Sequence, residues 1–350
     1  MATRISRRAL LGALGTGTAL GALSRPHIAL AQAATLKITT WGGKWGEVMK
    51  GEVIPAFERE FKCKVEVDQA FPYLPKLQAS AKNAPVYDVL HANSNEQWRA
   101  AVDGLVVEKI TAKEVPNIKD VYPYAVSDKI AGVTIFTSAV GLGYRTDKGL
   151  SAPKSWKDLA DPKLAGQRGG YQIPVNSLGQ SHLMLLGQLY GKGMTDLDAA
   201  YKALEQLKPM KLVDFTGQME KMLLQAEVVM GIIHDSGIYR YDGDNQPIAF
   251  AAPAEGVLSL EQVLNVTPGS KVKELAYGYI DYMLRPDIQK RLSEAVWYSP
   301  SNRNVKLDPK YDAKLYNTPE KVATLIQVDW KWYNDRKDDI DARVARILRG

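Results

Sequence analysis

The stretch Leu36-Lys37-Ile38-Thr39-Thr40-Trp41-Gly42-Gly43-Lys44-Trp45-Gly46 decides how the chain is read. Up to Trp41 it alternates apolar and polar side chains, the period of a strand with one buried face, and the glycines then break the pattern. Residues 47–61 follow with a helical rhythm (Val48, Val53, Phe57, Phe61), and Lys64–Val67 returns to alternation. Pro55 predicts an interruption of that helix, because proline lacks the N–H that would close a turn. Strand, glycine loop, helix and strand make a βαβ unit, and a crossover helix implies parallel strands in an α/β sheet.

The pattern recurs downstream. Asp88-Val89-Leu90 predicts a short strand, followed by polar Ala92-Asn93-Ser94-Asn95 and a helix from Glu96 through Val102. Val140–Tyr144 and Gln167–Ile173 predict two more strands, and Asn176-Ser177-Leu178-Gly179 opens a helix running to about Tyr190. Val228–Ile233 is fully apolar and ends in His234-Asp235-Ser236-Gly237. Lys271–Leu284 and Asp287–Val296 read as helices split by Arg285-Pro286, and residues 319–348 carry two more. Such alternation says α/β, and 350 residues leave room for two domains. With 45% hydrophobic and 24% charged residues the chain has a full core. Beyond the first 25 positions no run approaches the roughly 18 apolar residues of a membrane helix.

The N-terminus reads as an export signal over residues 1–33. Arg4-Ile5-Ser6-Arg7-Arg8 is basic, Ala9–Leu23 is a weakly apolar run, and Ala31-Gln32-Ala33 is a small-residue exit. Arg7-Arg8, with Ser6 before and Leu10-Leu11 after, resembles a twin-arginine signal; an ordinary secretory signal with a chance pair is the alternative. The exported chain then begins near Ala34, in the periplasm or outside the cell. Removing four arginines and no acid lowers the formal charge from +6 to +2. That leaves no clustered basic stripe for a phosphate backbone, and nucleic acid is not an expected partner. Cys63 is the single cysteine, so no internal disulfide forms; its setting in Lys62-Cys63-Lys64 suits a half-buried structural thiol.

Catalytic signatures are missing from the exported part. His91, His182 and His234 fall in no zinc-binding spacing, so no metal is expected. No G-x-S-x-G elbow is present, and Gly42–Gly46 has neither P-loop nor dinucleotide spacing. No cofactor and no reaction are nominated, although an exported enzyme on a two-lobe scaffold is the competing class.

The turns at the predicted strand exits offer binding instead. Ligands of open α/β sheets collect where strand ends face helix N-termini. Trp41-Gly42-Gly43, Asn93-Ser94-Asn95, Asn176-Ser177 and His234-Asp235-Ser236-Gly237 are rich in small polar and aromatic residues. Each alone also reads as a helix cap or a turn. Small residues let backbone N–H groups approach an anionic end of a solute, and Asp214, Asp235 and Glu261 would hold a cationic end.

These segments resemble bacterial periplasmic solute-binding proteins of ABC importers, in the group of the spermidine/putrescine-binding proteins. The resemblance is carried by Ile54-Pro55-Ala56-Phe57-Glu58-Arg59-Glu60-Phe61, by Tyr87-Asp88-Val89 and by Asp103-Gly104-Leu105-Val106. It continues through Val140-Gly141-Leu142-Gly143-Tyr144-Arg145, Tyr282-Met283-Leu284-Arg285-Pro286-Asp287, Tyr298-Ser299-Pro300-Ser301-Asn302 and Asp329-Trp330-Lys331-Trp332-Tyr333-Asn334. It implies an α/β fold of two lobes, type II-like, with the ligand cleft between them and hinge closure on the solute. Lobe 1 would hold 34–137 plus 258–305 and lobe 2 would hold 138–257 plus 306–350, with crossings near Thr137–Gly141 and Pro253–Leu260. The implied partners are a small-molecule solute and the importer's membrane subunits, with the protein itself a monomer. Trp41 and Tyr298 fall where the group uses aromatic residues, and the expected cleft residues are Trp41, Gly43, Ser94, Ser177, Asp214, Asp235, Glu261 and Tyr298. Where the group often carries an acid after the first crossover helix this chain reads Asn176-Ser177-Leu178-Gly179, and Leu260-Glu261-Gln262 departs from the group's Trp-x-Asp. An amine-bearing or zwitterionic solute fits, and sugars suit Trp41, Trp45 and the amides equally. No adjacent tyrosines exist among the 17, which speaks against a ferric-ion binder of similar fold.

Overall fold

The computed structural model describes residues 33–107 and 109–349. The expected export segment 1–33 lies outside the described residues except for Ala33. Among those residues one sheet holds β1 (Thr35–Thr39), β2 (Lys64–Asp68), β3 (Val89–Asn93), β4 (Val133–Arg145), β5 (Arg168–Tyr171) and β6 (Lys211–Val213). It continues with β7 (Met230–His234), β8 (Ile248–Ala251), β9 (Val257–Val266) and the short β10 (Ser299–Pro300) and β11 (Leu325–Ile326). The main order is β2-β1-β3-β9-β4-β7-β5-β6. At one end β2, β1 and β3 run parallel, and at the other β7, β5 and β6 do. Between them β9 is antiparallel to β3 and β4, and β4 is antiparallel to β7.

β4 is the spine because its neighbours change half-way along. One edge pairs with β9 over Val133–Val140 and then with β8 from Leu142. The opposite edge meets β10 at Phe136–Thr137 and then β7 from Val140. β9 behaves likewise, pairing with β3 through Gln262–Val266 and with β11 at Val257–Leu258.

The burial of apolar side chains follows this exchange. One core gathers Leu36, Ile38, Phe57, Val89, Val133, Phe136, Leu264 and Ile280. A second gathers Val140, Leu142, Trp156, Tyr171, Leu183, Ile232, Ile233 and Leu258. The result is a two-lobe α/β fold with β4 and β9 contributing side chains to both cores. The C-terminal segment touches both as well: Leu325 packs against the first core, and Val328, Trp330, Tyr333, Ile340 and Val344 belong to the second.

Pro55 does not break the first helical segment. Helix Gly43–Val48 passes through a wider π turn, Met49–Val53, into helix Ile54–Phe61, where Pro55 occupies the first turn. The helix there gives up the bond that proline cannot make, so the chain continues without a sharp stop.

Gly141 lies where β4 exchanges partners. A Cβ there would meet the Ala251 carbonyl oxygen at 2.6 Å and Phe250 Cζ at 2.8 Å. The carbonyl belongs to the paired backbone and has no room to give. Gly141→Val is therefore expected to destabilise the protein by about 1–3 kcal/mol in urea unfolding, the usual cost of overpacking. Unchanged stability would mean that the junction yields more easily than its contacts imply.

Candidate solute-binding site

The C-terminal ends of the parallel strands place the polar turns. β1 leads to Trp41, β3 to Ser94, β5 to Ser177, β6 to Asp214 and β7 to Asp235. Two of the turns reach across the lobes, since Asn95 Nδ2 donates to Gln180 Oε1 at 3.2 Å and Asn334 Nδ2 donates to the Asn95 carbonyl at 3.0 Å. Asn95 follows β3, whereas Gln180 lies on helix Ser177–Tyr190 of the second lobe.

An aromatic row forms in the first lobe. Trp41 and His91 stand 5.2 Å apart between ring centroids, His91 and Trp45 5.4 Å, and Trp45 and Tyr298 5.8 Å. His91 and Trp45 are buried, while Trp41 and Tyr298 at the two ends stay partly open. The row is fixed by Trp41 Nε1 donating to Gln262 Oε1 and by Trp45 Nε1 donating to Thr40 Oγ1 at 2.7 Å. Phe71 extends it beyond Trp41, 6.4 Å away, and is 60% exposed. Burial pulls His91 and His234 down to about 3, so both imidazoles are neutral at physiological pH.

The expected acids behave differently from one another. Glu261 is buried with both oxygens engaged, Oε2 by Ser94 Oγ at 2.9 Å and Oε1 by Gln327 Nε2 at 3.2 Å. It thereby ties β9 to the start of helix Ser94–Val102 and to the C-terminal segment. Asp235 is fully buried: Oδ1 accepts from its neighbour Ser236 N at 2.7 Å, and Oδ2 has no partner. Burial pushes Asp235 up to about 8. Asp214 is exposed, and its carbonyl accepts from Asn176 Nδ2 at 2.8 Å. Asn176 also caps helix Ser177–Tyr190 through Leu178 N, so Ser177 sits nearly buried at that helix start. Gly43 is exposed, with φ +59 and open space where a Cβ would stand.

Several neighbours escaped the sequence reading. Glu96 is pushed up to about 7 by burial. Ser138 Oγ is buried without a partner, as are Asn93 Oδ1 and Asn95 Oδ1 in the turn that the sequence had singled out, and Arg240 lies half-exposed beside Glu220. The capping residues had a signal, being Asn or Asp before a helix. Phe71 and Arg240 had none, because nothing local distinguishes them from surface residues.

A family model described as bacterial extracellular solute-binding protein matches residues 52–318. The chain belongs to the bacterial extracellular solute-binding proteins. Among curated relatives, a gamma-aminobutyric acid-binding protein of Pseudomonas aeruginosa is 24% identical, covering 90% of this chain and 91% of its own. A spermidine/putrescine-binding periplasmic protein of Salmonella typhimurium is 22% identical over 84% of this chain and 86% of its own. The solved structure of an ABC transporter protein from Clostridium perfringens superposes with a TM-score of 0.77 at 22% identity, covering 89% of this chain and 99% of that one. The chain is thus a solute-binding protein of an ABC transporter rather than an enzyme.

The buried acids of this solute-binding protein predict a pH dependence. Unfolding releases Asp235 to its ordinary 3.8, so between that value and about 8 the folded state holds a proton that the unfolded state has lost. Stability must then fall as pH rises through this window. The histidines pull the opposite way only below about pH 6.5. From pH 6.5 to 8, Asp235→Asn is expected to remove about 1.5 kcal/mol of pH-dependent loss, measured by urea unfolding at each pH. Parallel curves for the two proteins would show that Asp235 is not the group titrating.

Proposed function

We propose that the protein captures a small amine-bearing solute, a polyamine or a related amine, and delivers it to the membrane subunits of an ABC importer. The observation that carries this reading is the aromatic row with open ends at Trp41 and Tyr298, in a protein whose strand-end residues also hold buried oxygens without partners, Asn93 Oδ1, Asn95 Oδ1 and Ser138 Oγ. An ammonium supplies three donors and no acceptor, and the faces of aromatic rings attract cations. The related proteins named for gamma-aminobutyric acid and for spermidine and putrescine all bind amines by their names.

In this reading the cleft wall is formed by Trp41, Gly43, Ser94, Ser177, Asp214 and Tyr298. Asp235 and Glu261 complete the site as buried acids that burial pushes toward neutrality, so they meet an amine as hydrogen-bonding groups rather than as fixed negative charges. Lobe 1 comprises 34–137 plus 258–305, lobe 2 comprises 138–257 plus 306–350, and β4 and β9 flex between them. The solute bridges the lobes and stabilises the closed form that the membrane subunits recognise. Residues 1–33 direct export, through the twin-arginine route, to the periplasm, where the protein works as a monomer.

The test is thermal melting of the purified protein against polyamines, amino acids, phosphonates and sugars. A solute at 100 times its Kd adds about 2.7 kcal/mol to the folded state. Amines are expected to raise Tm, and Trp41→Ala should weaken the same amines at least tenfold while shifting the ligand-free Tm little. Shifts confined to sugars or phosphonates would overturn the amine reading.

A further inference from the structure

We infer that Asn95 and Trp98 form a latch that holds the two lobes together before any solute arrives, with Asn95 as a positioning residue for capture. The inference concerns closure of the lobes and stands apart from the choice of solute.

Helix Ser94–Val102 follows β3 and is fixed to the first lobe by Ser94, Gln97 and Ala100. Gln97 Nε2 donates to the Leu90 and Val263 carbonyls at 2.8 and 3.0 Å, and Ala100 packs among Tyr73, Leu77 and Leu90. Asn95 and Trp98 are three residues apart and so share another face of the helix. That face meets the second lobe. Asn95 Nδ2 donates to Gln180 Oε1 at 3.2 Å, and the Trp98 side chain packs against the second core. The Asn95 carbonyl accepts from Asn334 Nδ2 at 3.0 Å, at the end of helix Trp330–Asn334, whose Trp330 and Tyr333 belong to the second core. Asn95 is thus held twice, by its side chain and by its backbone.

The C-terminal segment crosses between the lobes beside this contact. Gln327 Nε2 donates to the Tyr124 carbonyl at 3.2 Å, Gln327 Oε1 accepts from Ser127 Oγ at 3.1 Å, and Lys129 Nζ donates to the Gln327 carbonyl at 3.3 Å. The next residue, Val328, already lies in the second core. Trp98 Nε1 donates to the Lys129 carbonyl at 2.7 Å, so the same ring is tied to the loop before β4 and packed on the second core.

β9, β4 and β7 stand between β3 and β5 in the sheet, so no strand pairing brings Asn95 and Gln180 together. Rotation of one lobe against the other about β4 and β9 would part them. The bond therefore lasts only while the lobes are together, and it needs no solute. One hydrogen bond shifts an equilibrium by roughly two- to tenfold, so the latch enlarges the closed fraction of the empty protein and strengthens solute affinity by a similar factor.

The experiment is small-angle X-ray scattering of the solute-free protein as wild type, Asn95→Ala, Gln180→Met and the double variant. Asn95 Oδ1 has no partner of its own, so scattering without solute separates the latch from any direct contact with a solute. Each single variant should have a larger radius of gyration than the wild type, and the double variant should expand no further. Asn334→Ala, which removes the bond to the Asn95 carbonyl, replaces either variant that fails to unfold cooperatively. Equal radii in wild type and variants overturn the inference, as does a double variant whose expansion is the sum of the two. In calorimetric titration, Gln180→Met should weaken whichever of putrescine and 4-aminobutyrate the wild type binds by about two- to tenfold. Unchanged affinity would overturn the link between the latch and capture. If the wild type binds neither amine, the amine reading falls while the scattering still decides the latch.

Discussion

The hydrogen-bond ladder along β4 is the constraint from which the two lobes and the surface between them follow. A strand has only two edges, and each edge of β4 is shared in turn by a partner from either lobe. The backbone donors and acceptors at the junction are satisfied by β9, β10 and β7 together, so the junction is a continuous piece of sheet rather than a linker. The helices and turns of each lobe are hung from this ladder, and the strand ends that carry the polar turns are brought to one region by it.

The junction is also unusually polar for a buried place. Thr137 Oγ1 and Ser259 Oγ meet at 2.9 Å, and Glu261 collects Ser94 and Gln327. Buried polar groups with partners specify one arrangement more sharply than apolar contacts do, because each misplacement leaves an unpaired group. Ser138 Oγ and Asp235 Oδ2 are left without partners beside this network. The neutral histidines and the acids that burial pushes toward neutrality leave this buried region polar but carrying little charge of its own.

The βαβ units were legible because their physics is local. Leu36–Thr39 alternates, Ile232 and Ile233 sit in a fully apolar run, and Asn176 and Asp235 are cap residues at helix starts. The first half of β4 was not legible: Thr134, Thr137 and Ser138 are polar yet buried, so hydropathy carries no sign that Val133–Arg145 is one long central strand. β6, β8 and the helices Leu197–Gln206 and Thr216–Leu224 were missed for a similar reason, being short or weakly patterned. Among the site residues, Trp41 and Tyr298 emerge as partners in one row although 257 positions of sequence separate them. Glu261 emerges as a tie between segments.

By itself the sequence determined the α/β class, the parallel strand units, the polar turns at strand ends and a family resemblance, because periodicity, capping and glycine placement act over a few residues. Only the tertiary structure decided which edges β4 shares, which acids lose their contact with water and which aromatic rings stand in line. Those outcomes depend on long-range pairing and on the low dielectric of a packed interior, and neither is written in any local stretch of the chain.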